Sequence, residues 1–121
     1  MSEDSHTIAA GGTFTLQFML EDRTTETYVF EAPDIEGYII GRADNLSSYQ
    51  PDIDLVALGA QQRGISRRHA ALVRYNDAVH IIDLDSTNGT YVNGSRLPAY
   101  VACALKPGDR LSFANLSLII S

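Results

Sequence analysis

The chain is 121 residues long, 45% apolar and 20% charged, which makes one globular domain and leaves no space for a second. Nine Lys+Arg against fifteen Asp+Glu give a net charge of -6, a balance that argues against a general nucleic-acid or anionic-membrane surface. The acidic start Met1-Ser2-Glu3-Asp4, the lack of an apolar run near the roughly 18 residues that span a bilayer, and the single cysteine Cys103 point to a cytoplasmic protein or an excised cytoplasmic domain, with no internal disulfide and no cysteine-rich zinc site.

In chain order, residues 1–12 read as a flexible lead-in and residues 13–121 as the single domain. Phe14, Leu16, Phe18 and Leu20 recur at period two, the pattern of a half-buried strand over 13–20. Short strand candidates follow at 27–31, 37–42, 52–56, 69–75, 79–84, 90–92, 110–114 and 117–120, with no convincing helix between them. Many short strands separated by turn signals indicate an all-β sandwich or barrel. Asn88-Gly89 and Asn93-Gly94 are dipeptides favoured by type I′ hairpins, and Lys106-Pro107-Gly108-Asp109 is a turn with proline and glycine suitably placed. The longest irregular stretches, 43–51 and 57–65, lie beside strand ends, where binding residues tend to sit.

A two-residue turn at Asn76-Asp77 would set His69 against Leu84 and bring Ser66 near Thr87. The segments Ser66-Arg67-Arg68 and Ser86-Thr87-Asn88 then share one end of the molecule, with Arg42 at the exit of its own strand as a third contributor. Charge is distributed accordingly. Up to Asp54 there are eleven acids and two bases, whereas from Leu55 onward there are four acids and seven bases, four of which (Arg63, Arg67, Arg68 and Arg74) fall within twelve residues. Screening acts over about 8 Å at physiological salt, so such a cluster can hold one anionic group on an acidic molecule. A solvated arginine face is the plainer alternative.

Gly41-Arg42, Ser66-Arg67-Arg68-His69, and the run from Asp83-Leu84-Asp85-Ser86-Thr87-Asn88-Gly89-Thr90 to Tyr91-Val92-Asn93-Gly94 resemble, in order, the three signature blocks of the forkhead-associated (FHA) domain family. The resemblance covers residues 37–120. It implies a β-sandwich of about eleven mainly antiparallel strands whose loops at one end recognise phosphothreonine peptides. Arg42 and Ser66 would contact the phosphate, Arg67 and Thr87 would add donors, and Asn88 would hydrogen-bond the peptide backbone. His69 would brace the Ser66-Arg67 loop, and Gly41, Gly89, Asn93 and Gly94 would support the binding loops. These are residue types the chemistry asks for: a phosphothreonine carries about -1.5 to -2 charges and three acceptor oxygens. In the family, selectivity depends largely on the residue three positions after the phosphothreonine, and an acidic residue there would suit Arg63.

Catalysis is not expected. Ser66 and His69 lack a G-x-S-x-G elbow and a placed carboxylate partner. The pairs Asp52/Asp54 and Asp83/Asp85 lack a calcium loop or a third ligand, and no cofactor or metal is implied. The expected partner is a phosphothreonine-containing protein in a Ser/Thr protein kinase pathway, with no nucleic acid and no membrane. Self-recognition of a copy phosphorylated at Thr7, Thr24 or Thr25 is a further option. The rival reading is a phosphate-independent interaction or self-association module of the same fold.

Overall fold

The computed structural model describes residues 12–20, 22–31 and 37–121; the lead-in, apart from Gly12, and the candidate Thr7 lie outside the described residues. Among the described residues eleven strands follow one another: β1 (Thr13–Met19), β2 (Thr25–Glu31), β3 (Tyr38–Gly41), β4 (Ile53–Asp54), β5 (Arg68–Tyr75), β6 (Ala78–Asp83), β7 (Thr90–Val92), β8 (Ser95–Arg96), β9 (Cys103–Ala104), β10 (Arg110–Phe113) and β11 (Leu116–Ile120). They form a six-stranded sheet in the order β2-β1-β11-β10-β7-β8 and a five-stranded sheet in the order β4-β3-β5-β6-β9. The named ladders are antiparallel except β3 with β4, which run parallel through Ile40↔Ile53 and Gly41↔Asp54.

Period two in β1 buries Phe14, Leu16 and Phe18 against the second sheet. Ile40, Leu72, Val79 and Ile81 meet them from that sheet, and Leu111, Phe113, Leu116, Leu118 and Ile120 extend the same core. The β1–β2 ladder, Thr13↔Glu31 to Met19↔Thr25, adds an aromatic row at its margin, with Phe14 stacked on Phe30 at 5.6 Å and Phe18 tilted on Tyr28 at 5.5 Å.

Asn76 and Asp77 both have positive φ, 51° and 59°, and set the expected hairpin register, Tyr75↔Ala78 to Ala70↔Asp83. Asn93 (51°) and Gly94 (87°) likewise make the β7–β8 hairpin. Asn88-Gly89 departs from expectation. Gly89 alone of the two has positive φ, 91°, and the dipeptide joins no hairpin, because Ser86 Oγ accepts the Gly89 N–H at 3.0 Å and His69 takes its carbonyl at 2.8 Å. β8 and β9, two residues each, and a 3-10 turn at Val56–Leu58 were not expected from the pattern.

Two features set the position of the loops. Gly41 lies so close to the chain ahead of β5 that an added Cβ would sit 1.8 Å from the Arg67 carbonyl oxygen. The same contact is closed by the Arg42 N–H, which donates to Arg67 O at 3.1 Å, while Leu55 N–H donates to Gly41 O at 2.8 Å. Arg42 therefore emerges beside Ser66, Arg67 and Arg68.

Candidate functional site

Two loops at one end of the sandwich are tied down from inside. The carboxylate of buried Asp83, at the end of β6, accepts from Ser86 Oγ and Thr90 Oγ1, both at 2.6 Å, and from Ser86 N–H at 3.2 Å. This knot turns 84–89 back on itself, with Asp85 in the left-handed region at φ 62°. A fully buried His69 links it to the other loop. Its Nε2–H donates to Gly89 O at 2.8 Å, which leaves Nδ1 to accept the Ser66 N–H at 3.1 Å. The ring packs edge-on to Phe113 with centroids 5.6 Å apart.

Burial holds His69 below its ordinary value of 6.5, against the smaller raising effects of Gly89 O and Asp83. A protonated ring could no longer accept from Ser66. The unfolded chain takes up this proton more readily than the folded one, so the stability contributed by the neutral ring is complete above about pH 6.5 and declines as pH falls below it. The melting temperature should accordingly drop between pH 7 and 5, and a His69→Asn variant should show a flatter profile; an equal drop in both would assign the effect elsewhere.

Across these loops lies an open depression of about 480 Å³ lined by Arg42, Tyr49, Ser66, Arg67, Arg68 and Thr87. Arg42 Nε donates to Ile65 O at 2.7 Å, which fixes the fork while leaving its terminal amino groups for a ligand. Ser66 Oγ accepts the Thr87 N–H at 3.2 Å, joining the two loops at the lip. Arg67 pairs with Asp44 at 2.9 Å. The Leu46 N–H, and to a smaller extent Arg67, hold the Asp44 carboxyl below its ordinary range. The Tyr49 hydroxyl donates to Arg67 O at 3.1 Å, and burial raises that hydroxyl above its ordinary value. Chemically, the depression offers guanidinium, hydroxyl and amide donors together with a single aromatic ring, a set suited to a tetrahedral anion on a small apolar stem.

The expected residues Arg42, Ser66, Arg67 and Thr87 thus line one depression, while Asn88 stands at its margin, donating through Nδ2 to Gly64 O at 2.9 Å. Gly41, His69 and Gly89 lie in the scaffold beneath it. Asn93 and Gly94 form the β7–β8 turn, where Asn93 Nδ2 donates to Asp109 Oδ1 and its Oδ1 accepts the Arg110 N–H, both at 3.0 Å. Arg63 is turned elsewhere: its Nε donates to Leu58 O at 2.7 Å, and its side chain lines clefts with Met19, Leu20 and Asp22 instead of the Arg42 depression. Sequence reasoning missed Tyr49, and it placed Arg68, Asp83, Ser86 and Thr90 within the signature blocks without giving any of them a role in the site. Asp83, Ser86 and Thr90 could have been suspected from the dense hydroxyl and carboxylate spacing around Thr87, whereas Tyr49 sits in an irregular loop that carries no periodic signal. Among the described residues, no three His, Cys, Asp or Glu side chains are grouped to hold a metal ion, and no helix is long and apolar enough to cross a membrane.

Comparison with known proteins gives consistent matches. The family model for the FHA domain matches residues 38–114. Protein FraH of Nostoc sp. strain PCC 7120 is 38% identical over 69 residues, which cover 57% of this chain and 24% of FraH. The chain therefore spans about a quarter of the length of that relative. A solved domain from a structural and functional analysis of phosphothreonine-dependent FHA domain interactions is 27% identical, with a TM-score of 0.64 over 89% of this chain and 94% of that one. The FhaA FHA domain, solved with the intracellular domain of Rv3910, is also 27% identical, with a TM-score of 0.63 over 89% and 99% of the two chains. The FHA domain of CT664 from Chlamydia trachomatis, 24% identical, shares the fold with a TM-score of 0.66 over 90% and 96%.

Proposed function

The chain belongs to the forkhead-associated (FHA) domain family, and from that membership we propose that it captures phosphothreonine peptides as a non-catalytic module in Ser/Thr kinase signalling in the cytoplasm. FHA domains are protein-interaction modules, not enzymes. The observation that carries the reading is the meeting of Arg42, Ser66, Arg67 and Thr87 in one open depression. In this proposal Arg42 and Ser66 meet the phosphate directly and Thr87 adds a hydroxyl, while Arg67 lines the same depression from the Ser66 loop. Asn88 gives its side-chain amide to the peptide backbone, exchanging the Gly64 carbonyl it holds in the free protein. Phosphothreonine dependence in the FHA interactions of one relative supports the choice of ligand, and the complex of FhaA with the intracellular domain of Rv3910 supports a protein partner.

Charge-assisted hydrogen bonds contribute about 1.5 to 3 kcal/mol each, so two or three of them are enough to make binding conditional on the phosphate. The test is calorimetric titration with an oriented phosphothreonine peptide library, alongside unphosphorylated and phosphoserine versions. Phosphorylated self-peptides spanning Thr24 and Thr25 belong in the same series, because both threonines are exposed beside the β1–β2 turn. Phosphate-dependent, threonine-selective binding is expected. A folded sample that binds none of these peptides, or binds them equally with and without phosphate, would overturn the proposal and favour a phosphate-independent module.

A further inference from the structure

Three guanidinium groups line the depression, those of Arg42, Arg67 and Arg68, and they are committed unequally. Arg42 is aimed by its Nε hydrogen bond to Ile65 O. Arg67 already has its charge matched: Asp44 lies 2.9 Å away with its side chain only 18% exposed, against 57% for the arginine. The backbone carbonyl of Arg67 is engaged as well, accepting from Tyr49 and from the Arg42 N–H. Arg68, the first residue of β5, has no carboxylate within ion-pair distance among the described residues. The acids whose charges reach Tyr49 are Asp52 and Asp54. Both are held by backbone N–H groups, Asp52 by Ile39 and Asp54 by Ala43 and Val56.

Arg42 and Arg68, neither with a carboxylate at ion-pair distance among the described residues, therefore line one depression, in which Asp44 is paired to Arg67 and feels the Arg42 charge from farther off. A phosphate monoester near neutral pH carries about -1.5 to -2 charges, so a site with Arg42 alone would leave half of that charge unopposed. We propose that Arg68 is the second cation met by the bound phosphate, and that Arg67 is a positioning residue fixing the 43–50 loop through Asp44 and Tyr49. The depression is then charge-matched to a dianion and poorly matched to a carboxylate. This assignment rests on the phosphothreonine reading above.

The test compares the full chain with its Arg68→Ala, Arg68→Lys and Arg67→Ala variants, titrated with one phosphothreonine peptide at several salt concentrations. Arg68→Ala should weaken binding by about 10-fold or more, the scale of one lost charge-assisted hydrogen bond, with Arg68→Lys recovering much of it. Arg67→Ala should weaken binding less and speed amide exchange in the 43–50 loop. Losing Arg68 should also flatten the salt dependence of the affinity, an effect that a merely loosened loop would not produce. Wild-type affinity in Arg68→Ala, or a larger loss in Arg67→Ala, overturns this assignment and leaves the phosphothreonine reading intact. Phosphate-independent behaviour of the wild-type chain overturns both.

Discussion

Arg42→Ala should lower affinity for a phosphothreonine peptide by about 100-fold or more while moving the melting temperature by only about 4 °C, because its two jobs differ in size. Toward a ligand, the fork supplies two charge-assisted donors and a full positive charge in a half-buried depression, and no neighbouring side chain can reproduce that geometry. Toward the fold, it supplies one hydrogen bond, Nε to Ile65 O at 2.7 Å. Its loss leaves one part-buried carbonyl unpaired, a penalty of about 1 kcal/mol. Arg42→Lys should fall between, since an ammonium keeps the charge but cannot hold Ile65 O and face the ligand at once. Titration and thermal denaturation of the same samples check both halves. Retained affinity in a folded Arg42→Ala would remove this residue from the site.

A substitution one position earlier acts the other way round, through the fold first. Gly41→Ala should lower stability by about 3 kcal/mol and the melting temperature by about 10 °C. The added methyl would stand 1.8 Å from Arg67 O and 2.7 Å from Arg67 C, both backbone atoms that no rotamer change can move aside. Relief requires β3 to separate from the start of β5, which breaks the Arg42 N–H to Arg67 O bond and displaces Arg42 from Ser66. Affinity should therefore fall together with stability. Gly94→Ala is the contrasting case: nothing lies within 4 Å of its Cβ position, and only the positive φ opposes it, at about 1 kcal/mol. Should Gly41→Ala prove no more damaging than Gly94→Ala in thermal melts, the close approach does not have this importance.

Much of this architecture was legible in the sequence. Period two in β1 gave away its buried face, and Asn76-Asp77 fixed the β5–β6 register, which is what brings Ser66 to Thr87. The signature blocks identified most of the residues that line the depression. What escaped has physical causes. Two-residue strands such as β8 and β9 are too short for any periodicity, and they are held by bonds to strands already in place, with Leu97 N–H donating to Thr90 O beside β8 and Leu105 N–H to Val79 O beside β9. Asn88-Gly89 looks locally like a hairpin turn, but Ser86 from nearby and His69 from 20 residues away claim the Gly89 backbone groups. Arg63 and Arg68 are equivalent as letters in a basic cluster; only the fold sends one toward Leu20 and the other into the depression. Asp44 gave no hint that it neutralises Arg67, since 23 residues separate the pair.

The ties among Asp83, Ser86, Thr90, His69 and Gly89 also bear on how quickly a ligand can be taken up. Ordering a loop on contact subtracts from affinity, by about 0.5 to 1.5 kcal/mol for each side chain immobilised. Here the 66–69 and 84–90 segments are tied by hydrogen bonds internal to the fold, so that entropy is surrendered during folding. Encounter then needs orientation and no rearrangement of those segments, which favours rapid association and lets partners be exchanged through dissociation alone. The 43–50 loop, held by exposed contacts such as Asp44 with Arg67, is the remaining adjustable wall. Differences among ligands should register there as changes in residence time, over an otherwise unmoving floor.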